Sequence, residues 1–294
     1  MFVATLIAAG KLTDEVVREA IDRLDATGHE VGAPHWLDVG DAADIVFQGS
    51  LVSAREELAK MDHGALDVVV QPLGDRTKKL IIADMDSTMI TVECIDELAD
   101  YAGIKDQIAA ITQRAMRGEL DFRAALFERV GLLGGMAEGV LAECRMERVR
   151  LTRGARTLVQ TMKAHGAYSV LVSGGFTAFA DPVGEAIGFD KVIANNLEIS
   201  GGKLSGRVLE PIVDSAAKLE TLEAEAAKHG LPLAETLAVG DGANDIPMIT
   251  AAGLGIGYHP HPSAGEAADA AIRHHDLTAL LWAQGYPRRS WVLG

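Results

Sequence analysis

The apolar positions of the first 75 residues fall in short runs, separated by stretches with helical spacing. Phe2 to Ile7 reads as a strand. Thr13 is placed to cap a helix that carries Val16, Val17, Ala20, Ile21 and Leu24 on one face. Strand-like runs follow near 34–39 and 43–48. Ser53 opens a second helix with Leu58 and Met61 inward, and Ala65 to Gln71 forms a last strand. The order β-α-β-β-α-β is the ferredoxin-like arrangement. Pro72 to Asp75 reads as a break.

Beyond the break the pattern changes. Lys79 to Ala83 is an apolar run bounded by charge, which suits a strand buried on both faces of a parallel sheet. Similar runs recur at Tyr168–Val172, Lys191–Ala194, Thr236–Val239 and Gly253–Ile256. Helical stretches at 153–165, 176–187, 214–229 and 244–251 lie among them. The alternation predicts an α/β fold, a doubly wound and mostly parallel Rossmann-like core. Residues 92–150 break it: their pattern is helical throughout, which predicts a helical bundle inserted after the first core strand. The expected division is residues 1–75 and 76–294.

Composition narrows the partners. The chain has 294 residues, 48% hydrophobic and 23% charged, which allows two domains and at least one large core. Its net charge of −15 argues against non-specific nucleic-acid binding, since a phosphate backbone rewards basic surfaces. A small phosphorylated substrate stays open, because a few cations can reverse the field inside one cleft. Cys94 and Cys144 lack metal-type spacing and predict free thiols in a reducing compartment. Met1 to Lys11 lacks a basic leader and a cleavage pattern, and no apolar run reaches the roughly 18 residues of a membrane span. A cytoplasmic protein with no membrane contact is expected.

The polar motifs collect at the carboxyl ends of predicted strands, where open α/β sheets bind ligands. Asp84-Met-Asp86 follows the first core strand, Ser173-Gly174-Gly175 the next, and Gly240-Asp241-Gly-Ala-Asn244-Asp245 a later one. Of Asp84 and Asp86, one carboxylate can attack phosphorus and the other can protonate the leaving oxygen. Thr88, Ser173 and Gly174 offer hydroxyl or N–H groups to phosphate oxygens. Asp241 and Asp245 add oxygen donors for a hard cation such as Mg²⁺, with Asp84 and the Asp86 carbonyl beside them. Mn²⁺ accepts the same ligands. Taken singly, each motif also reads as a turn or a helix cap. Lys218 reads as a surface lysine or a phosphate clamp, and Arg129 as a surface arginine or a grip on a carboxylate.

Together these segments resemble the haloacid dehalogenase-like phosphatases over roughly residues 79–280. The resemblance is carried by Asp84-Met-Asp-Ser-Thr88, Glu93-Cys-Ile-Asp-Glu-Leu-Ala99, Leu120-Asp-Phe122 with Arg129-Val130, Val172-Ser-Gly-Gly-Phe176 and Ala194-Asn-Asn-Leu197. Gly202-Lys-Leu-Ser-Gly206, Lys218 and Val239-Gly-Asp-Gly-Ala-Asn-Asp245 complete it. The second and third segments are similar to the branch that acts on O-phospho-L-serine. The resemblance implies hydrolysis of that substrate to L-serine and phosphate through an aspartyl-phosphate, the last step of L-serine biosynthesis. It implies Asp84 as nucleophile, Asp86 as acid/base, and Asp84, Asp86 and Asp241 around Mg²⁺. Ser173, Gly174, Lys218 and Asn244 would hold the phosphoryl group, Glu93 the ammonium and Arg129 the carboxylate. Phe122 would seal the pocket under a helical cap. Phe127 departs from the basic residue often found there in relatives. Residues 1–75 resemble, by element order, the ACT-like domain of longer bacterial relatives, a route to a homodimer.

Phosphohomoserine or phosphothreonine hydrolysis is the neighbouring alternative. A phosphoacceptor signalling domain, which also gathers acidic residues, hydroxyls and a lysine at strand ends, is the alternative of another class.

Overall fold

Thr13 accepts the Val16 N–H through its side chain, and the first helix starts behind it. In the computed structural model, which describes residues 1–116 and 119–293, this helix is α1 (Asp14–Ala26), after β1 (Phe2–Ile7). Then come β2 (Glu30–Val31), β3 (His35–Asp38), β4 (Ala42–Gln48), α2 (Leu51–Leu58) and β5 (Asp67–Pro72). Ser50, three residues earlier than the sequence pattern suggests, caps α2 by accepting the Ser53 N–H. Ser53 lies inside the helix, one turn beyond its true start.

The sheet runs β2-β4-β1-β5, with β3 paired to β4 and β1 antiparallel to both neighbours. Its period-two alternation serves two cores. Ala4, Leu6, Ile45, Phe47 and Val70 pack under Val17, Ala20 and Leu24 of α1 and Ala54 and Leu58 of α2. Ile7, Ala42 and Val69 join the larger cluster that contains Ile81, Leu281 and Trp282. The segment read as a break leads to Arg76, whose guanidinium pairs with Asp44 and donates to the carbonyls of Trp282 and Ala283.

The second sheet begins with β6 (Leu80–Ala83), four residues with no exposed side chain. Four helices follow: α3 (Cys94–Tyr101), α4 (Lys105–Met116), α5 (Phe122–Gly131) and α6 (Gly139–Arg148). They occupy the stretch expected to be helical, of which residues 117 and 118 lie outside the described residues. Then come α7 (Ala155–Ala164), β7 (Tyr168–Phe176), α8 (Thr177–Ile187), β8 (Lys191–Ser200), β9 (Lys203–Leu209) and α9 (Ser215–Lys228). The chain ends with β10 (Thr236–Gly240), α10 (Ile246–Ala251), β11 (Leu254–Tyr258), α11 (Pro262–Ala267), β12 (Ala270–Ile272) and α12 (Ala279–Ala283).

The strand order is β12-β11-β10-β6-β7-β8-β9, parallel except for the β8–β9 hairpin. β6 therefore sits between β10 and β7, and their carboxyl ends open on one side. Among the described residues, no helix is long and apolar enough to cross a membrane. Cys94 and Cys144 are buried free thiols.

Candidate active site

Asp84 follows β6 directly, and its N–H donates to Val239 O on β10 (2.9 Å). This cross-strand bond places Asp84 beside the loop that carries Asp241 and Asp245. Lys218, from the first turns of α9, inserts its ammonium between two carboxylates: 2.7 Å from Asp84 Oδ1 and 2.6 Å from Asp245 Oδ1. It is fully buried, so the surface reading of this lysine is overturned. Asp245 Oδ2 accepts the Gly242 N–H, and Thr88 Oγ1 donates to Asp241 Oδ1 (3.0 Å). Gly240 is required here: a Cβ on it would stand 2.4 Å from the Asp245 carboxyl carbon.

Ligand oxygens of Asp84, Asp241 and Asp245 all lie within 4.8 Å of one another. Burial pushes the Asp84 carboxyl well above its ordinary value; Asp245 adds to this and Lys218 opposes it. Burial, then Asp245 and Glu93, push Asp241 up to about 6. Burial disfavours the Lys218 ammonium, but Asp84 and Asp245 outweigh it and hold the lysine charged. Three carboxylates thus face one cation in a dry site, an arrangement with room in its charge balance for a hard divalent ion. Both oxygens of Asp245 already have donors, which leaves Asp84 and Asp241 as the freer ligands.

Asp86 stands in the turn that leaves β6. Its Oδ1 accepts the Cys94 N–H at the start of α3 (3.3 Å), and burial, then Glu93, push its carboxyl up to about 7. Thr88, Met89 and Ile90 N–H groups converge on Met85 O, which tightens this turn, and Ser87 takes a positive φ of 54°. Ser87 Oγ donates to Glu93 Oε1 (2.7 Å), fixing Glu93 at the site's edge. Ser173 is buried at the end of β7 and accepts the Gly175 N–H (2.9 Å). A Cβ on Gly175 would lie 3.0 Å from Asp86 Oδ2 and 3.1 Å from Ser173 Oγ, so the last residues of β7 close directly on the turn that carries Asp86.

The helical insert reaches the same place. A Cβ on Gly174 would lie 3.2 Å from Phe122 Cζ, which puts the ring at the site's mouth. Arg129, half-buried on α5, donates its Nε–H to Ala125 O (3.2 Å) and makes no ion pair among the described residues. Burial lowers its pKa, while the nearby charges of Asp96, Glu93 and Asp86 oppose that. Asn244 is half-buried in the turn 243–245, its Oδ1 against Gly242. Phe127 is exposed, under the Arg123 guanidinium.

Asp84, Asp86, Glu93, Ser173, Gly174, Lys218 and Asp241 thus gather where β6, β7 and β10 end, with Phe122 against Gly174, while Phe127 is at the surface. Two contributions are undervalued in the sequence pattern. Asp245 is the second carboxylate on Lys218, and its only signal is the repeat of an aspartate four residues after Asp241. Asn195, buried, donates to the carbonyls of Gly174 and Val213 and accepts the Val213 N–H, tying the end of β7 to the segment before α9. Nothing in an Ala-Asn-Asn run marks that bridge.

A family profile described as haloacid dehalogenase-like hydrolase matches residues 81–250. The phosphoserine phosphatase of Streptomyces coelicolor is 46% identical over 221 residues, covering 75% of this chain and 54% of that protein. The chain spans 54% and 58% of the lengths of this protein and of a second such enzyme, from Mycobacterium tuberculosis. A crystal structure of a haloacid dehalogenase family hydrolase from Salmonella enterica serovar Typhi superposes with a TM-score of 0.82 at 28% identity, over 96% of this chain and 98% of that one. The unliganded structure of a probable phosphoserine phosphatase from Vibrio cholerae gives 0.78 at 34% identity, over 98% and 87%.

Proposed function

The chain belongs to the haloacid dehalogenase-like hydrolases, and from that premise we propose that it hydrolyses O-phospho-L-serine to L-serine and phosphate. The observation that carries the proposal is a division of charge across one cleft. A buried Asp84 beside Lys218 suits a phosphoryl group, and Arg129, which makes no ion pair among the described residues and has Glu93 in its surroundings, suits an amino-acid head group.

In the first step the Asp84 carboxylate attacks phosphorus, and the bond to the seryl oxygen breaks. Asp86, whose raised pKa keeps a neutral form available, gives that oxygen its proton. In the second step Asp86 takes a proton from the water that attacks the aspartyl-phosphate, and Asp84 is released. Lys218, Ser173 Oγ, the Gly174 N–H and Asn244 hold the phosphoryl oxygens. Glu93 meets the ammonium and Arg129 the carboxylate, the latter by its paired donors. Mg²⁺ held by Asp84, Asp241 and the Asp86 carbonyl would offset repulsion between nucleophile and phosphate.

The same reading takes the helices between 92 and 150 as a cap, with Phe122 excluding water beneath it. It takes residues 76–294 as the phosphatase domain and residues 1–75 as an ACT-like domain, supported by the strand order β4-β1-β5 with β3 beyond β4. It places the enzyme in the cytoplasm, at the end of L-serine synthesis, as a dimer through the N-terminal sheet.

The test is phosphate release from phosphoserine, with and without Mg²⁺, by the wild type and Asp84→Asn. Release by the wild type with Mg²⁺ alone supports the reading; equal release by Asp84→Asn refutes it. Phosphohomoserine and phosphothreonine are run beside it, and faster turnover of either would move the substrate assignment.

A further inference from the structure

The mechanism uses nothing from the N-terminal sheet, yet that sheet is joined by hydrogen bonds to the loop of Asp241. Asp67, buried at the start of β5, accepts the N–H groups of Arg273, His274 and His275 at 2.9, 3.1 and 3.2 Å. It also meets His275 Nδ1 at 2.7 Å. The other ring nitrogen, Nε2, lies 3.0 Å from the Ala9 N–H, just after β1. An amide N–H only donates, so Nε2 is the acceptor and Nδ1 carries the proton toward Asp67. Both nitrogens of His275 are therefore fixed by groups of the N-terminal segment.

The connection continues toward the site. His275 O accepts from His259 Nε2 (3.2 Å), and His259 N donates to Ile272 O (2.8 Å). His259 follows β11 and holds a positive φ of 41°, which a residue other than glycine adopts at a cost of about 1 kcal/mol. Two residues on, the His261 N–H donates to the backbone carbonyl of Asp241 (2.9 Å). The strained turn at 259–261 thus stands between a histidine held by the N-terminal sheet and the backbone of a candidate cation ligand.

We propose that Asp67, His275 and His259 are positioning residues for the cation site, through which the N-terminal sheet sets the backbone of Asp241. The inference rests on the reading of Asp241 as a cation ligand. Groups bonded directly to a ligand typically change metal affinity by roughly 10- to 100-fold when removed. His259 acts at one further remove, through the turn.

The test is Mg²⁺ binding to the full chain by titration calorimetry, without substrate. His259→Gly keeps the backbone angle accessible and removes only the ring; its expected effect is about a three- to tenfold rise in Kd. His259→Gln, whose amide places a donor near the position of Nε2, should stay within about twofold of the wild type. Asp67→Asn should weaken binding in the same direction as His259→Gly. A folded His259→Gly that binds Mg²⁺ as tightly as the wild type overturns the proposal, as does a His259→Gln that is equally weakened. A wild type that binds no Mg²⁺ at all overturns the cation-site reading itself, and that outcome is visible before any variant is compared.

Discussion

Lys218 Nζ lies 2.7 Å from Asp84 Oδ1, with both side chains closed to solvent. The lysine sets the direction of the Asp84 carboxylate and, through Asp245, is itself held. Lys218→Met leaves those carboxylates buried without their counter-charge, a change that typically costs about 3 kcal/mol. Urea unfolding should show that loss, and activity should vanish. Saturating Mg²⁺ should narrow the stability gap, because a cation restores positive charge at the same cluster.

Cation binding should also be visible as stability. A ligand that binds only the folded state adds about 2.7 kcal/mol at 100 times its Kd. The melting temperature of the wild type should therefore climb with Mg²⁺ concentration. Asp241→Asn should flatten that climb, and chelation should return the wild type to its metal-free melt.

Gly175→Ala tests how tightly the last residues of β7 close on Asp86. The new methyl would stand 3.0 Å from Asp86 Oδ2 and 3.1 Å from Ser173 Oγ and Met85 Cε, so these groups must yield. Small displacements of the acid/base proposed at Asp86 are costly, and kcat should fall about tenfold or more. Circular dichroism melts within a few degrees of the wild type would locate the effect at the site.

Asp67 gives a pH prediction with a definite sign. Burial alone would raise its pKa, but the His275 ring and the Arg273 and His274 N–H groups lower it below the ordinary 3.8. A carboxylate with a depressed folded pKa contributes stability that is fully present above the unfolded value and lost as pH falls through the folded one. Asp67→Asn should be less stable than the wild type at pH 7, by about 2 kcal/mol for hydrogen bonds to a charged group. The difference should shrink progressively below pH 3.8. Urea midpoints measured across that range read it directly.

Much of the site was legible because each of its motifs ends a strand whose apolar run is unbroken. Leu80–Ala83 and Thr236–Gly240 are buried on both faces, and such strands announce themselves and the loops behind them. The helix of residues 14–26 was legible from Thr13 and its apolar face. What escaped had no periodicity to show. β12 has three residues, and β9 is an edge strand with two exposed ends, Lys203 and Leu209. Lys218 was ambiguous because burial of a lysine depends on carboxylates 134 and 27 positions away in sequence. The contacts of Asp67 and His275 join residues 208 positions apart, between elements whose patterns do not refer to each other.

β6 lies between β10 and β7, and one neighbour is made far later than the other. β6, which leads into Asp84, thus leaves the ribosome early but stays unpaired along one edge until some 150 further residues have been synthesised. Thr236–Gly240 supplies both that missing edge and the loop that carries Asp241, so completion of the sheet and assembly of the Asp84–Asp241–Asp245 cluster are one event. Chains stopped short of β10, or frayed from that end, would keep much of their helix content and lack the carboxylates of Asp241 and Asp245. Under the proposed mechanism, turnover would report whether the last fifth of the chain, from β10 onward, has folded home.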